Sequence, residues 1–379
     1  MSTTFKSLRG DDATTTRTLL HESIPITGSI LSGTYGGDTV ALGSEPHIKT
    51  YSHGMFESVF DYPYLSSSAN HIFDITAGYA STSALSGASN TQNTKKINIY
   101  NQMAQVLMGF DETGSVRIFD EDGDISGGGT KLKECYFVNF SRLLTKDEIK
   151  KGTFEMELMT TDGFSEATGV GSLERIKITD FSGSDGYFVN SPAGEYGVLF
   201  ATASNGATVL AANQYYKVGL LFYQAGVAVI SGSVFSDSDD GGILHTGKGT
   251  VTFSPAGASV TGFNTITSST NNVMADNLRN RLYNIQFNNT TELNSTIYFC
   301  RVNNNEFNYS ANPTYLSTSA DGPSAIVVKD GDAVRDPHSY ITTVGLYSAD
   351  NELLAVAKVS EPLKKDPSNE LTLRVRLDY

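Results

Sequence analysis

Tryptophan is absent from this chain of 379 residues, and only two cysteines, ten prolines and six histidines occur. Each scarcity excludes something. Without tryptophan the strongest surface for stacking sugar rings is missing, although 19 tyrosines could substitute. Cys135 and Cys300 are far apart and follow no secretory leader pattern, since Met1 to Arg9 holds no apolar core segment. The expectation is therefore two reduced, buried thiols rather than a disulfide framework. The histidines (His21, His47, His53, His71, His245, His338) show no paired zinc-ligand spacing. Basic residues are also short, 27 against 41 acids for a net charge of −14, which disfavours a phosphate-binding face. No apolar run reaches the ~18 residues of a membrane-spanning helix. The richest one, Val218 to Ile230, is interrupted by Gln224.

In place of charge the chain carries 41 Ser, 39 Thr and 36 Gly. These are poor helix formers and favour strands and turns. The expected class is mainly β: antiparallel sandwich or barrel-like modules with one or two short helices. At about 150 residues per domain, the length allows two or three domains.

Four segments are expected. Residues 1–50 read as an extended N-terminal arm with short strands. Residues 51–159 read as an α+β part of the main body, opening on the aromatic-dense stretch Tyr51 to Phe73. Within it, Ile97, Tyr100, Met103, Ala104 and Leu107 recur at helical spacing. This predicts a helix from Asn93 to Phe110, capped by Asn93 or Thr94 and ended by Gly109. Thr145-Lys-Asp-Glu148 has the capping-box pattern and predicts a second short helix closed by Gly152. Residues 160–272 read as a Gly/Ser-rich β module, a candidate insertion, with a hairpin around Gln224-Ala-Gly226. Residues 273–379 read as a β-rich C-terminal part. A short helix fits Leu278, Leu282 and Ile285, and a terminal hairpin pairs Tyr340–Tyr347 with Leu353–Val359 across Ser348–Asn351. No internal repeat of 20–50 residues is visible, which disfavours a propeller or solenoid.

The motifs that could carry chemistry fall short. Asp120, Asp122 and Asp124 have the one-in-two spacing of a calcium loop, but Ile125 stands at the turn position and Lys131 where the bidentate Glu belongs. Asp237-Ser-Asp239-Asp240 fails in the same way, with Lys248 at its end. Gly247-Lys-Gly-Thr250 lacks the upstream glycine of a phosphate loop, and no Gly-x-Ser-x-Gly elbow occurs. No catalytic, cofactor-binding or metal-ligating residue can be named, so the expectation is a non-enzymatic chain with no cofactor.

Several blocks resemble a known family. Ile341-Thr-Thr-Val-Gly-Leu-Tyr-Ser-Ala-Asp-Asn-Glu-Leu-Leu-Ala-Val-Ala-Lys358 is similar to a hairpin that recurs in tail-fibre and baseplate proteins of tailed bacteriophages. Tyr51 to Asp74, Lys96 to Leu107, Asn139 to Thr153 and Asn303 to Thr314 resemble virion structural proteins of T4-like, cyanophage-type myophages. The resemblance implies a particle subunit in a contractile-tailed virion, assembled in the host bacterial cytoplasm. Tail or baseplate is the first expectation, with a neck or head–tail connector next. A receptor- or glycan-binding fibre-associated protein is the alternative from another class. The partners implied are other copies of the chain and neighbouring virion proteins, with no nucleic acid, membrane or small-molecule substrate. The arm at 1–50 and the aromatic stretch 51–75 are the expected contact surfaces.

Overall fold

The structure is a computed structural model. It describes residues 5–22, 47–87, 89–124, 128–144, 147–160, 174–205, 209–211, 215–246, 251–253, 258–260, 270–309, 316–317, 325–326 and 337–378. The described residues are mainly β, 47% of them in strands and 13% helical, in antiparallel sheets, and among them no barrel closes. It divides into two compact units, Leu20–Glu292 and the combined Met1–Leu19 with Leu293–Tyr379. That division falls at other places than near residues 50, 160 and 272.

The larger unit is organised on a sheet of eleven strands. From one edge to the other these are Leu282–Gln286, Glu155–Met159, Arg175–Thr179, Gly194–Asn205, Tyr216–Phe222, Val227–Ser231, Glu134–Asn139, His71–Tyr79, Glu57–Phe60 and Ile48–Thr50, with Phe188–Ser191 beside Gly194–Asn205. The strands from 175 to 231 are thus integral to the sheet, seated between Glu155–Met159 and Glu134–Asn139. Five of these consecutive residues, Val227–Ser231, are all buried, because both faces of the sheet are covered.

Two apolar clusters lie on the two faces. One gathers Phe73, Ile75, Tyr136, Val138, Ile230 and the helix residues Met274, Ala275 and Leu278. The other gathers Phe137, Val229, Phe222 and the helix residues Ile99, Tyr100, Ala104 and Leu107. Each fully buried side chain of this kind contributes roughly 1.5–3 kcal/mol. A helix therefore serves each face, Asn93–Leu107 on one and Asn271–Arg281 on the other.

The first helix forms where the spacing predicts it. Its start does not. Gln92, at φ 55°, holds the N-cap position and makes no side-chain cap. Asn93 instead accepts from the Tyr79 hydroxyl at 2.7 Å and donates to the Ser86 carbonyl at 3.1 Å. Tertiary bonds have taken the side chain that would have capped. Gly109 ends the helix as expected, at φ +75°, with its amide on the Ala104 and Gln105 carbonyls. On the buried face Lys96 stands in place of Ile97, and burial pushes its ammonium down to about 8.

The helix predicted from Thr145 is corrected. A single turn, Ser141–Leu144, precedes it, and Asp147–Ile149 is a strand paired with Asn289–Thr291. Strand pairing and the Ile149 amide on the Tyr223 carbonyl override the local capping signal. Thr145 and Lys146 lie outside the described residues. Before that segment, Phe119–Asp120 is a two-residue strand, and Phe110 and Val116 form an isolated bridge. The helix expected around Leu278 ends at Arg281, and Leu282 and Ile285 sit on the following strand.

The strands Ala13–Glu22, Asn289–Val302 and Leu371–Asp378 are neighbours, and their residues 13–19, 293–302 and 371–378 belong to the smaller unit. The terminal hairpin is a separate two-stranded sheet, Ser339–Tyr347 with Leu353–Lys365. Its second strand runs through Pro362, beyond the predicted end at Val359.

Candidate interaction surface

The hairpin is built as the sequence predicts. At its turn the Ser348 amide donates to the Glu352 carbonyl at 2.9 Å and the Asn351 amide to the Ser348 carbonyl at 3.1 Å. Asn351 takes φ 64°, a left-handed conformation that asparagine tolerates better than most residues. The register shifts twice, between Ile341 and Thr343 and again beside the turn. Tyr347 opposes Leu353 and Leu346 opposes Ala355, which leaves Leu354 as an extra residue. The bulge turns Leu354 outward, and 68% of it is exposed.

What distinguishes this hairpin is its composition against its surroundings. Tyr340, Tyr347, Leu353, Leu354 and Val356 are all exposed. Leu346, Val344, Ala355, Ala357 and Val359 on alternate positions are only half-buried. A two-stranded sheet is marginal in water by itself, since it has neither a covered face nor a third strand. Lys365 alone is fully buried in this hairpin, at its base. Its ammonium donates to Asn308 Oδ1 at 2.6 Å, the Asp366 carbonyl at 2.8 Å and the Asn304 carbonyl at 3.1 Å. The Ser339 hydroxyl adds a bond to the carbonyl of Phe307, a residue at φ 52°. The stem is therefore pinned to the loop 303–309.

A groove of about 1020 Å³ runs along the first hairpin strand. Its walls carry Phe5, Tyr298, Phe307, Tyr309, Tyr340 and Tyr347 among others. Phe5 lies on the Tyr347 ring at 4.7 Å between centroids, and Lys6 is paired with Glu306. On its other side the Tyr347 ring approaches Gly345, where a Cβ would come within 2.9 Å of it. The N-terminal residues, expected as an arm, thus pack on the hairpin of their own unit. At the floor, Arg301 pairs with Asp12 at 2.8 Å. Cys300 lies beside them, its thiol pushed up by burial and by the Asp12 charge.

The acidic turn of the larger unit is also resolved in its roles. Asp120 is fully buried and its carboxylate is paired with Lys131, the residue at the position where a calcium loop has its Glu. The Asp124 amide bonds Asp122 Oδ1 at 3.0 Å. Ile125 lies outside the described residues, as do Lys248 and Gly247-Lys-Gly-Thr250. Ser238–Asp240 is a 3₁₀ turn closed by Gly241, and Asp239 accepts from Thr246 at 2.9 Å. Among the described residues no group of three or more His, Cys, Asp or Glu is arranged to hold a metal ion. The histidines are dispersed: His53 stacks on Tyr51, His71 bonds Asp74 at 2.6 Å and His338 meets the edge of Tyr340.

The aromatic stretch 51–75 divides in two. Phe73 enters the core against Phe140. Tyr62, Tyr64 and Leu65 remain exposed on a loop, Leu65 by 86%. Sequence reasoning missed the buried polar positions Asn271, Asn277, Arg279 and Arg281 on Asn271–Arg281. Asn271 bonds the Met55 carbonyl at 2.7 Å and Thr76 at 3.0 Å, Asn277 bonds the Tyr136 hydroxyl at 2.6 Å, and Arg279 faces Glu57. The asparagine-rich composition of this stretch is the visible signal for them.

No family model matches the chain, and neither a curated protein nor a solved structure gives a match.

Proposed function

We propose that the chain is a non-enzymatic structural subunit of a contractile-tailed, T4-like bacteriophage virion, placed in the tail or baseplate. The observation that carries this reading is the terminal hairpin. It is long and apolar, it is pinned at its base, and Tyr340, Tyr347, Leu353, Leu354 and Val356 on its two strands are exposed. Contiguous apolar surface of this kind marks a site covered by another protein chain. The same residues carry the likeness to hairpins of phage tail-fibre and baseplate proteins. An acidic, cysteine-poor chain with a large, doubly covered sheet supplies a rigid body for such a subunit.

Tag-based gold labelling of purified particles, viewed by electron microscopy, tests this. Label at the distal tail end supports the tail or baseplate. Label at the head–tail junction assigns the subunit to the neck or connector, and particles without label refute the reading. The aromatic walls of the 1020 Å³ groove favour one second reading, a glycan-binding receptor protein at a fibre tip. Purified chain retained on host polysaccharide, and released by Tyr340→Ala, would support that alternative.

A further inference from the structure

Resting on the structural-subunit reading, we infer that the outer edge of the hairpin strand Ser339–Tyr347 receives a third strand from a neighbouring virion protein. The occupant is an extended, uncharged segment about as long as that strand, seated in the groove and bonded to the edge through its backbone.

The groove follows an edge rather than a face. It is lined by every residue from His338 to Ala349, and the second hairpin strand contributes Leu354 alone. Successive side chains of a strand point to opposite faces, so a groove over one face would be lined by alternate residues of both strands. Consecutive residues of one strand line it because it lies against that strand's edge. Among the described residues, Ser339–Tyr347 has no sheet neighbour besides Leu353–Lys365. In an antiparallel pair, alternate residues turn their N–H and C=O toward the partner and the others turn them outward. The edge thus offers the groove a row of backbone donors and acceptors. Nine residues at about 3.3 Å each extend it over about 30 Å.

The two edges of the hairpin are guarded differently. An exposed edge strand pairs with other chains unless charge, proline or bulges prevent it. Leu353–Lys365 has all three. Lys358, Glu361, Pro362 and Lys364 are exposed on it. The surplus residues at both register shifts are also its own, since Thr342 stands against Val359 to Pro362 and Leu354 has no opposite. Ser339–Tyr347 contains no Asp, Glu, Lys, Arg or Pro. The guarded edge faces away from the groove and the unguarded edge faces into it.

Charge selects the occupant. Within a chain of net charge −14, the groove is balanced internally: Lys6 is paired with Glu306, and Arg301 with Asp12. A charged segment laid there loses hydration and meets no free counter-charge. An uncharged one pairs its backbone with the edge while alternate side chains meet Tyr340 and Tyr347. A sugar chain can stack on the same rings but does not use the backbone row. The added strand also supplies what a two-stranded sheet lacks for stability in water.

The test uses the purified full-length chain and, as probe, a display library of random nine-residue peptides. Selection is expected to enrich uncharged peptides rich in β-branched and aromatic residues. An enriched peptide is then made in two N-methylated forms, each blocking alternate amides. The form blocked on the pairing side is expected to bind about ten-fold or more weakly, and the other as the parent does. This arm uses the unaltered chain and depends on no variant folding. Thr342→Lys and Thr343→Lys, at exposed positions of the edge strand, are each expected to weaken binding by about ten-fold or more with circular dichroism unchanged. Val356→Ser, exposed on the other strand and outside the groove, leaves binding unchanged. No enrichment, enrichment of charged peptides, equal behaviour of the two N-methylated forms, or binding indifferent to both lysine variants overturns the inference. Enriched peptides that reproduce Ser339–Tyr347 make the occupant a second copy and overturn its assignment to another protein. A chain that selects no such peptide yet is found in particles refutes only this inference. A chain absent from particles refutes the functional reading, whatever peptides it binds.

Discussion

Gly78 sets the distance between the large sheet and the helix Asn93–Leu107. A Cβ built on it would stand 2.6 Å from the Lys96 carbonyl oxygen and 3.0 Å from the Tyr100 amide. Both are backbone atoms, so no side chain can rotate away and the helix itself must move. Overpacking of this kind costs typically 1–3 kcal/mol. The reduced freedom of the unfolded chain returns about 0.4–1 kcal/mol. Gly78→Ala should therefore destabilise the larger unit by about 1–2 kcal/mol, which for a body of this size lowers the melting temperature by roughly 2–8 °C. Thermal unfolding followed by circular dichroism measures this. Gly87→Ala is the control, since nothing lies within 4 Å of its added Cβ and its effect should stay within about ±0.5 kcal/mol. A Gly78→Ala variant as stable as the parent would refute the helix packing described above.

Lys96 predicts a pH dependence. Its folded-state value is about 8, below the ordinary 10.5, so between those values the unfolded chain binds more protons and stability rises with pH. Below about pH 8 both states are charged and the full desolvation cost is present. Lys96→Met should raise stability at pH 7 by about 1–2 kcal/mol and flatten the rise above pH 8, as read from urea midpoints across the range. Lys365→Met removes three hydrogen bonds and should cost about 2–3 kcal/mol locally. Faster hydrogen exchange at 303–309 and at the hairpin base is the expected readout. A thiol reagent should modify half-buried Cys300 in the native chain and leave fully buried Cys135 unmodified until urea is added, as mass spectrometry would detect.

Much of the architecture was legible where the pattern is local. The helix around Tyr100, the Gln224–Gly226 hairpin and the terminal hairpin are each declared by periodicity and a turn residue within a few positions. Gly226 at φ +64°, with its amide on the Phe222 carbonyl, is such a case. Features decided at long range were not legible. Thr145–Glu148 has a sound helix signal, yet Asp147–Ile149 pairs with residues 140 positions away. Asn93 was the natural cap until Tyr79 claimed its side chain. The asparagines of Asn271–Arg281 are not recognisable as buried from the sequence, because nothing in it reveals which hydroxyls and carbonyls they meet. For the interaction surface, the hairpin residues were visible but their exposure was not. Alternating apolar residues read the same whether the face lies on a core or stands free.

The most direct measurement tests the proposed virion role: quantitative mass spectrometry of gradient-purified particles from lysates in which this chain is made, after a high-salt wash. The account predicts several copies per particle, in fixed ratio to the other structural proteins and retained through the wash. Loss of the chain on washing, or its absence from intact particles, would contradict it.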